Sequence, residues 1–313
     1  MQLYPNYFSI SSQILVDRAK KIGFKTKIIC PEKNFFSISR NNKTWFFKNL
    51  KSERTSAIAL EIASDKNLTK RFLEEIGIDV VSGILWNRGD MSPKINFPVV
   101  LKPIAESHGT DVFTDIKNEK DLKNIAEKLF QKYDQILLEE FISGVDLRIL
   151  CIAGTAKSAI LRYPPFIVGD GNNSIENLIE IENRDLKRGD GHLKTFSKIV
   201  VDEGVIDFLA SQNKSLQTIL RKNEKQYLSS RANTSIGGTF QQIFKHLSSK
   251  NKEFAEKIAQ KLNPNGFCAI DVLCDNPEKH WDEQVWKVLE CEVAPGLRSH
   301  PAEILDEWLG SFK

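Results

Sequence analysis

The pattern of apolar and polar positions changes between helical and strand-like periods along most of this chain. Apolar residues at helical spacing predict helices over residues 11–23, 52–63, 65–77, 120–130 and 252–262. We expect Ser11 or Ser12 to cap the first helix and Asp65 to cap the third. Short apolar runs predict strands over residues 25–30, 97–102, 135–141, 146–153 and 157–162. This order of elements indicates an α/β (α+β) fold, with a small alternating unit over about the first sixty residues.

Two apolar, β-prone segments near the end of the chain, 266–273 and 288–296, are interrupted by carboxylates. The polar stretch between them predicts a hairpin loop, and a hairpin centred near residues 280 and 281 places Asp271 opposite Glu290. Because side chains alternate along a strand, Glu292 shares a face with Glu290. Three carboxylates on one patch would raise one another's pKa unless a cation joins them, and an oxygen-only cluster suits Mg²⁺ or Mn²⁺. A solvated sheet edge is the alternative.

Two further segments carry cationic groups that suit a phosphate. The strand over 99–103 ends in Lys102, and burying its ammonium is costly unless an anion such as phosphate compensates. The alternative is a lysine whose head group reaches water. The segment 231–239 combines a guanidinium, an amide, hydroxyls and two adjacent glycines, which together can neutralise a phosphoryl group while backbone amides contact anions. An ordinary polar turn is the alternative there.

The composition narrows the classes of protein that fit. The chain has 313 residues, 41% of them hydrophobic, and a net charge of +3, so we expect a sizeable core and no nucleic-acid or membrane partner. Its five cysteines form no CxxC pair, which favours reduced core thiols in a cytoplasmic protein. The first residues lack a signal-peptide pattern, and no apolar run approaches the ~20 residues of a membrane helix.

The order of the motifs over about residues 60–313 resembles the ATP-grasp superfamily of carboxylate–amine ligases. The motifs are DKNLTK from residue 65, VVLKP from 99, LEEFISG from 138, RxNxxxGG from 231, IDVL from 270 and ExExxPGL from 290. A polar excursion from the sheet, over about 163–227, looks most like the ATP-grasp module of cyanophycin synthetases and less like that of bifunctional glutathione synthetases. The resemblance implies an ATP-grasp fold with a pre-ATP-grasp α/β domain over 1–64, a central lid subdomain over 65–145 and a C-terminal subdomain over 146–313.

The resemblance also implies roles for individual residues. The residues expected to bind ATP are Lys66, Lys102, His108, Gly109, Glu139, Phe141, Ile142 and Asp146. The expected ligands of two Mg²⁺ (or Mn²⁺) ions are Asp271, Glu290 and Glu292. Arg231, facing the γ-phosphate, and Asn233 would be catalytic, and the substrate would contact Arg148, Arg162, Gly237, Gly238 and Arg298.

The leading hypothesis is therefore an ATP-dependent ligase that joins an amino acid or short peptide to an amine through an acyl phosphate, as a homodimer or homotetramer. Two residues depart from the family pattern: Glu292 replaces the usual Asn, and Asp111 stands where the phosphate loop usually has glycine. They motivate a second hypothesis, a non-catalytic ATP-binding module. A scaffold for nucleic acid or protein is the third, for which the sequence offers no basic stripe or aromatic platform.

Overall fold

The computed structural model describes residues 7–104, 111–190 and 194–313. The helices in these ranges are α1 (Ile10–Lys21), α2 (Ala57–Ser64), α3 (Lys66–Glu75), α4 (Glu119–Phe130), α5 (Ile175–Asn183), α6 (Glu203–Ala210), α7 (Ser249–Leu262) and α8 (Asp306–Gly310). The strands are β1 (Lys25–Cys30), β2 (Phe35–Arg40), β3 (Lys43–Lys48), β4 (Lys51–Ser52), β5 (Gly83–Asn87), β6 (Val99–Pro103), β7 (Phe113–Ile116), β8 (Gln135–Glu140), β9 (Val145–Ile152), β10 (Thr155–Tyr163), β11 (Phe166–Val168), β12 (Arg188–Gly189), β13 (Phe196–Ser197), β14 (Lys225–Tyr227), β15 (Thr239–Gln242), β16 (Phe267–Cys274) and β17 (Trp286–Glu292).

The N-terminal unit is a four-stranded antiparallel sheet in the order β1-β2-β3-β4, which shares a core with α1. The predicted alternation of strands and helices is wrong here. Asn41 and Asn42 both adopt left-handed backbone angles, with φ of 51° and 62°, so the chain turns directly from β2 into β3. The fold of this unit is therefore α+β rather than alternating.

Helix starts follow local capping chemistry. Ser9 caps α1, because its side chain accepts a hydrogen bond from the Ser12 backbone N–H, so the predicted caps Ser11 and Ser12 lie inside the first turn. Ser56 caps α2, which starts later than predicted because residues 51–52 pair with β3. Asp65 caps α3, as predicted.

The central sheet is antiparallel and runs in the order β15-β10-β9-β16-β17. One face packs against α2, α3 and α7 and buries four of the five cysteines, all of them free thiols, as predicted. The other face is apolar at one end, where Leu150 and Phe267 join the core of the N-terminal unit. Its remaining part carries the charged residues of the candidate site.

Two smaller units flank the central sheet. The lid sheet, in the order β5-β8-β6-β7, packs against α4, and a bridge between Val80 and Val288 ties the segment before β5 to β17. The excursion contains α5, α6 and two two-stranded sheets around its own small core. Among the described helices, none has the length and apolar character needed to cross a membrane. The domain limits at residues 64 and 145 stay predictions.

Candidate functional site

The polar face of the central sheet carries the carboxylates near the end of the chain. Asp271 on β16 lies directly opposite Glu290 on β17, which confirms the predicted hairpin register. On its other side Asp271 lies opposite Arg148 on β9. Arg162 on β10 pairs in register with Asp146 on β9, so two guanidiniums and several carboxylates share this face.

The arginines hold the central carboxylate. Arg148 donates to both oxygens of Asp271, at 2.7 Å and 2.8 Å, and Arg162 donates to Asp271 Oδ2 at 2.8 Å. Burial disfavours the charged form of Asp271, which is 1% exposed, but Arg148 and Arg162 outweigh it and hold the pKa of that carboxyl well below its usual range. The two arginines thus supply part of the positive charge that we expected from a metal ion.

The three predicted metal ligands do not converge on one point in this structure. Glu292 turns toward Arg148 instead, with Arg148 Nη1 lying 3.2 Å from Glu292 Oε2. In the described part of the chain, three groups with ligand atoms within 4.8 Å of one another occur at His280, Asp282 and Glu283. Asp282 and Glu283 are exposed and His280 is half-buried, and both carboxylates already have partners, Asp282 a lysine and Glu283 the His280 ring. They carry no argument for a site.

The donor set nevertheless suits a hard divalent cation. Burial raises the pKa of Glu290 to about 7, and the charges of Asp271 and Glu292 add to the shift, so this carboxylate lacks sufficient positive charge nearby. Asp146 pairs with Arg162 at 2.7 Å, and burial raises its pKa as well. Four carboxylates against two guanidiniums leave an excess of negative charge that an oxygen-seeking ion would offset.

A second charged cluster lies where α3 meets the lid sheet. Glu139 on β8 is buried between two lysines, with Lys70 Nζ and Lys102 Nζ each 2.6 Å from one of its oxygens. Lys70 also donates to the Val81 carbonyl. Gly83 leaves room for this cluster, because a Cβ there would lie 3.0 Å from Glu139 Cγ. Lys102 is therefore buried and paired rather than reaching water.

The sequence motif predicts Lys66 as a phosphate ligand on α3, whereas Lys70 is the α3 lysine that pairs with Glu139 in the structure. Both lie on α3 four residues apart, and a lysine at a buried helix position was the available signal. Lys66 Nζ donates to the Ile104 carbonyl at 3.2 Å. His108 and Gly109 fall outside the described residues. Phe141 and Ile142, after β8, are half-buried, and the Phe141 N–H donates to Pro98 O.

The Arg231–Gly238 loop is a tight turn organised by Asn233. Asn233 Oδ1 accepts from the Ser235 N–H at 2.7 Å, and its carbonyl accepts from the Gly238 N–H at 3.1 Å. Gly237 has a φ of +98°, and a Cβ on Gly238 would lie 2.5 Å from Asn233 O. The two glycines are thus needed by the turn, and the Gly238 amide serves the turn rather than an anion.

Neighbouring segments hold this loop in place. Arg298 Nη2 donates to the Thr234 carbonyl at 2.8 Å. The hydroxyls of Ser230 and Thr114 lie 2.7 Å apart, so the residue just before the loop contacts strand β7 of the lid sheet. Burial lowers the pKa of Arg231, an effect that Asp202 and Asp111 oppose.

Known proteins match the chain in sequence. Residues 89–186 match the family model of the ATP-grasp domain of prokaryotic glutathione synthetase. Cyanophycin synthetase of Crocosphaera subtropica is 31% identical over 258 residues, covering 80% of this chain and 30% of that protein. A glutathione biosynthesis bifunctional protein of Clostridium perfringens is 29% identical over 299 residues, covering 93% of this chain and 38% of that protein. The chain spans about a third of the length of these curated relatives.

Solved structures match the fold. A bifunctional glutathione synthetase from Pasteurella multocida has a TM-score of 0.69 at 21% identity, over 97% of this chain and 44% of that chain. D-alanine–D-alanine ligase from Bacillus anthracis has a TM-score of 0.51 at 14% identity, over 82% of this chain and 69% of that chain. The predicted ATP-grasp fold is therefore confirmed by the solved structures, and residues 89–186 are similar in sequence to the ATP-grasp domain of prokaryotic glutathione synthetase.

Proposed function

We propose that this protein is an ATP-dependent ligase that joins a carboxylate to an amine and releases ADP and phosphate. The observation that carries the proposal is the polar face of the central sheet, where Asp271, Glu290 and Glu292 accompany Arg148 and Arg162. A buried patch of acids and guanidiniums is costly to form, and its retention suggests a charged reactant. The class of reaction is supported by the names of similar proteins, which include a cyanophycin synthetase, a bifunctional glutathione synthetase and a D-alanine–D-alanine ligase.

The nucleotide would bind where α3 meets the lid sheet. Lys70 and Lys102 hold Glu139 in this structure, and a polyphosphate would offer both ammonium groups a second anion. Lys66 donates to the carbonyl of Ile104, and the expected phosphate contacts His108 and Gly109 follow four and five residues later in the sequence. Glu139, Phe141 and Ile142 would line the adenine site, and Asp146 would hold the ribose.

Asp271, Glu290 and Glu292 would hold two Mg²⁺ ions, which when bound neutralise the charge of the transferring phosphates. Arg148 and Arg162 already fix the position of Asp271. In the proposal they also present N–H groups to the substrate carboxylate, together with Arg298.

The reaction would proceed in two displacements. A carboxylate oxygen of the first substrate attacks the γ-phosphorus, the bond to the ADP oxygen breaks, and an acyl phosphate forms. The amine of the second substrate then attacks the acyl carbon, the C–O bond to phosphate breaks, and the amine loses a proton. The residues act by position and charge, with Arg231 offsetting the negative charge that develops on the phosphoryl group.

Phosphate release with pooled substrates tests this proposal. Purified protein is incubated with ATP, Mg²⁺ and mixtures of amino acids and short peptides, and the products are identified by mass spectrometry. Hydroxylamine added to the same mixtures traps an acyl phosphate as a hydroxamate, whatever the natural amine. ATP binding without phosphate release in any mixture would favour the non-catalytic module. A homodimer or homotetramer and a cytoplasmic location stay predictions, the former testable by light scattering.

A further inference from the structure

Arg188 is a buried arginine in the excursion that reaches into the Arg231–Gly238 loop. Its side chain is 1% exposed. Nη1 donates to two carbonyls, of Ser197 and of Gly237, each at 2.9 Å. Nε and Nη2 both donate to Glu182 Oε1, at 3.1 Å and 2.9 Å. A buried guanidinium is unfavourable unless its donors are paired, and here four of its five N–H groups have acceptors.

A second arginine reaches the same loop from another part of the chain. Arg298 Nη1 donates to Ser197 Oγ at 3.1 Å, and Nη2 donates to the Thr234 carbonyl at 2.8 Å. Two guanidiniums therefore meet at Ser197, and each holds one carbonyl of the loop. Thr234 O and Gly237 O lie on either side of the turn that Asn233 organises.

Gly237 also packs closely against a second residue of the excursion, Ile199. A Cβ at Gly237 would lie 2.6 Å from Ile199 Cγ1 and 2.8 Å from Ile199 Cα, so the two backbones are in close contact. Ile199 is fixed in turn, because its N–H and its carbonyl both pair with the Asn183 side chain at 2.8 Å. The excursion thus supplies both the packing surface and the hydrogen-bond donor that set the position of Gly237.

We propose that Arg188 is a positioning residue for the ligase reaction, fixing the Arg231–Gly238 loop through the Gly237 carbonyl so that Arg231 meets the transferring phosphoryl group. The proposal rests on the proposed function for its catalytic part. A displacement of about 1 Å at a reacting group can lower a rate by about 100-fold. Because arginines hold the loop through hydrogen bonds to two of its carbonyls, we expect the position of the loop to depend on each of these bonds. A lysine cannot replace Arg188, because an ammonium lacks the planar fork.

The test compares Arg188→Met and Arg188→Lys with wild type by two measurements. We expect hydrogen exchange at the amides of residues 231–238, including Gly238, to be at least about tenfold faster in both variants. We expect phosphate release to fall by about 10- to 100-fold in kcat, while the Kd for ATP, most of whose expected contacts are in the lid region, changes by less than about twofold. Arg184→Met is the matched control, since Arg184 is 77% exposed and lies four residues earlier in the sequence.

The outcomes separate the two proposals. Wild-type exchange rates in the loop of both Arg188 variants would overturn the positioning role, as would equal losses of kcat and ATP affinity together with a lower Tm in both variants. If Arg188→Met does not fold, Arg188→Lys, which keeps the charge, decides. If wild-type protein itself shows no turnover and no hydroxamate, the proposed function fails, and the exchange comparison alone judges whether Arg188 fixes the loop.

Discussion

Arg148 and Asp271 lie directly opposite each other on strands β9 and β16, and the guanidinium binds both carboxylate oxygens, at 2.7 Å and 2.8 Å. The pair connects the fold to the candidate chemistry, since its register is fixed by two strands of the central sheet. Arg162 adds a third hydrogen bond from the next strand. Glu290 lies on the other side of Asp271, where less positive charge offsets its burial than at Asp271. The pKa of Glu290 is therefore raised, whereas that of Asp271 is lowered.

Asp271→Asn and Glu290→Gln should therefore separate stability from turnover. Asp271→Asn removes the buried carboxylate that both guanidiniums share and leaves Arg162 with Asp146 and Arg148 with Glu292, so we expect a loss of about 3 kcal/mol in the free energy of unfolding. Glu290→Gln removes an undercompensated charge, and we expect equal or higher stability. Both should lower phosphate release at least about 100-fold, because each removes an expected metal ligand. Urea unfolding and phosphate release measure the two effects.

An unchanged turnover in both variants would remove these residues from the metal site. Equal stability losses would instead mean that Glu290 is as well paired as Asp271.

Lys70→Met tests the lysine that the structure added to the nucleotide site. Because Lys70 shares Glu139 with Lys102, we expect its loss to raise the Kd for ATP about tenfold or more, as measured by calorimetry. Lys123→Met is the matched control, since Lys123 belongs to an exposed ion pair on α4 in the same unit. Wild-type affinity in Lys70→Met would leave Lys70 as a structural counter-ion of Glu139 alone.

The sequence predicted the parts of the site that depend on strand periodicity. The pairing of Asp271 with Glu290 followed from alternation and the hairpin loop, whereas the apolar strand left open whether Lys102 is buried beside an anion or reaches water. The partners of these residues were not predictable in the same way. Arg148 is 123 residues from Asp271, and only the strand order of the folded sheet brings them together. The turn between β2 and β3 depends on the backbone angles of Asn41 and Asn42, which hydrophobic periodicity does not reveal.

Gly238→Ala tests the reason for the second glycine of the Arg231–Gly238 loop. The new Cβ would lie 2.5 Å from Asn233 O and 2.6 Å from Tyr163 O, both backbone atoms that cannot move aside easily. We expect a loss of about 2 kcal/mol in the free energy of unfolding, with a lower kcat. Gly310→Ala is the control, because nothing lies within 4 Å of its Cβ position in helix α8. Equal stability in the two variants would contradict the close packing of the loop.

A chain of hydrogen bonds fixes the protonation pattern of His300, a buried residue near Arg148. The Gln242 side-chain N–H donates to Ser299 O, so Gln242 Oε1 points toward Ser158 Oγ at 3.3 Å. The Ser158 hydroxyl then donates to Gln242 and accepts from His300 Nδ1–H at 2.8 Å. His300 is thus a neutral Nδ1–H tautomer in the folded protein.

Acid should destabilise the protein through His300. Burial lowers the pKa of His300 from 6.5 to about 3, with the charge of Arg148 adding to the shift and Asp271 opposing it. Between these values the unfolded chain binds the proton and the folded protein does not, so this contribution to stability is complete above about pH 6.5 and is lost as the pH falls. This contribution to the free energy of unfolding should fall by up to about 1.4 kcal/mol per pH unit, as measured by urea titrations between about pH 6 and about pH 4. His300→Asn, whose side chain keeps a donor for Ser158, should lack this slope, so the gap to wild type narrows in acid. The exposed His246, changed to Asn, provides the control, and parallel curves for wild type and His300→Asn would contradict the prediction.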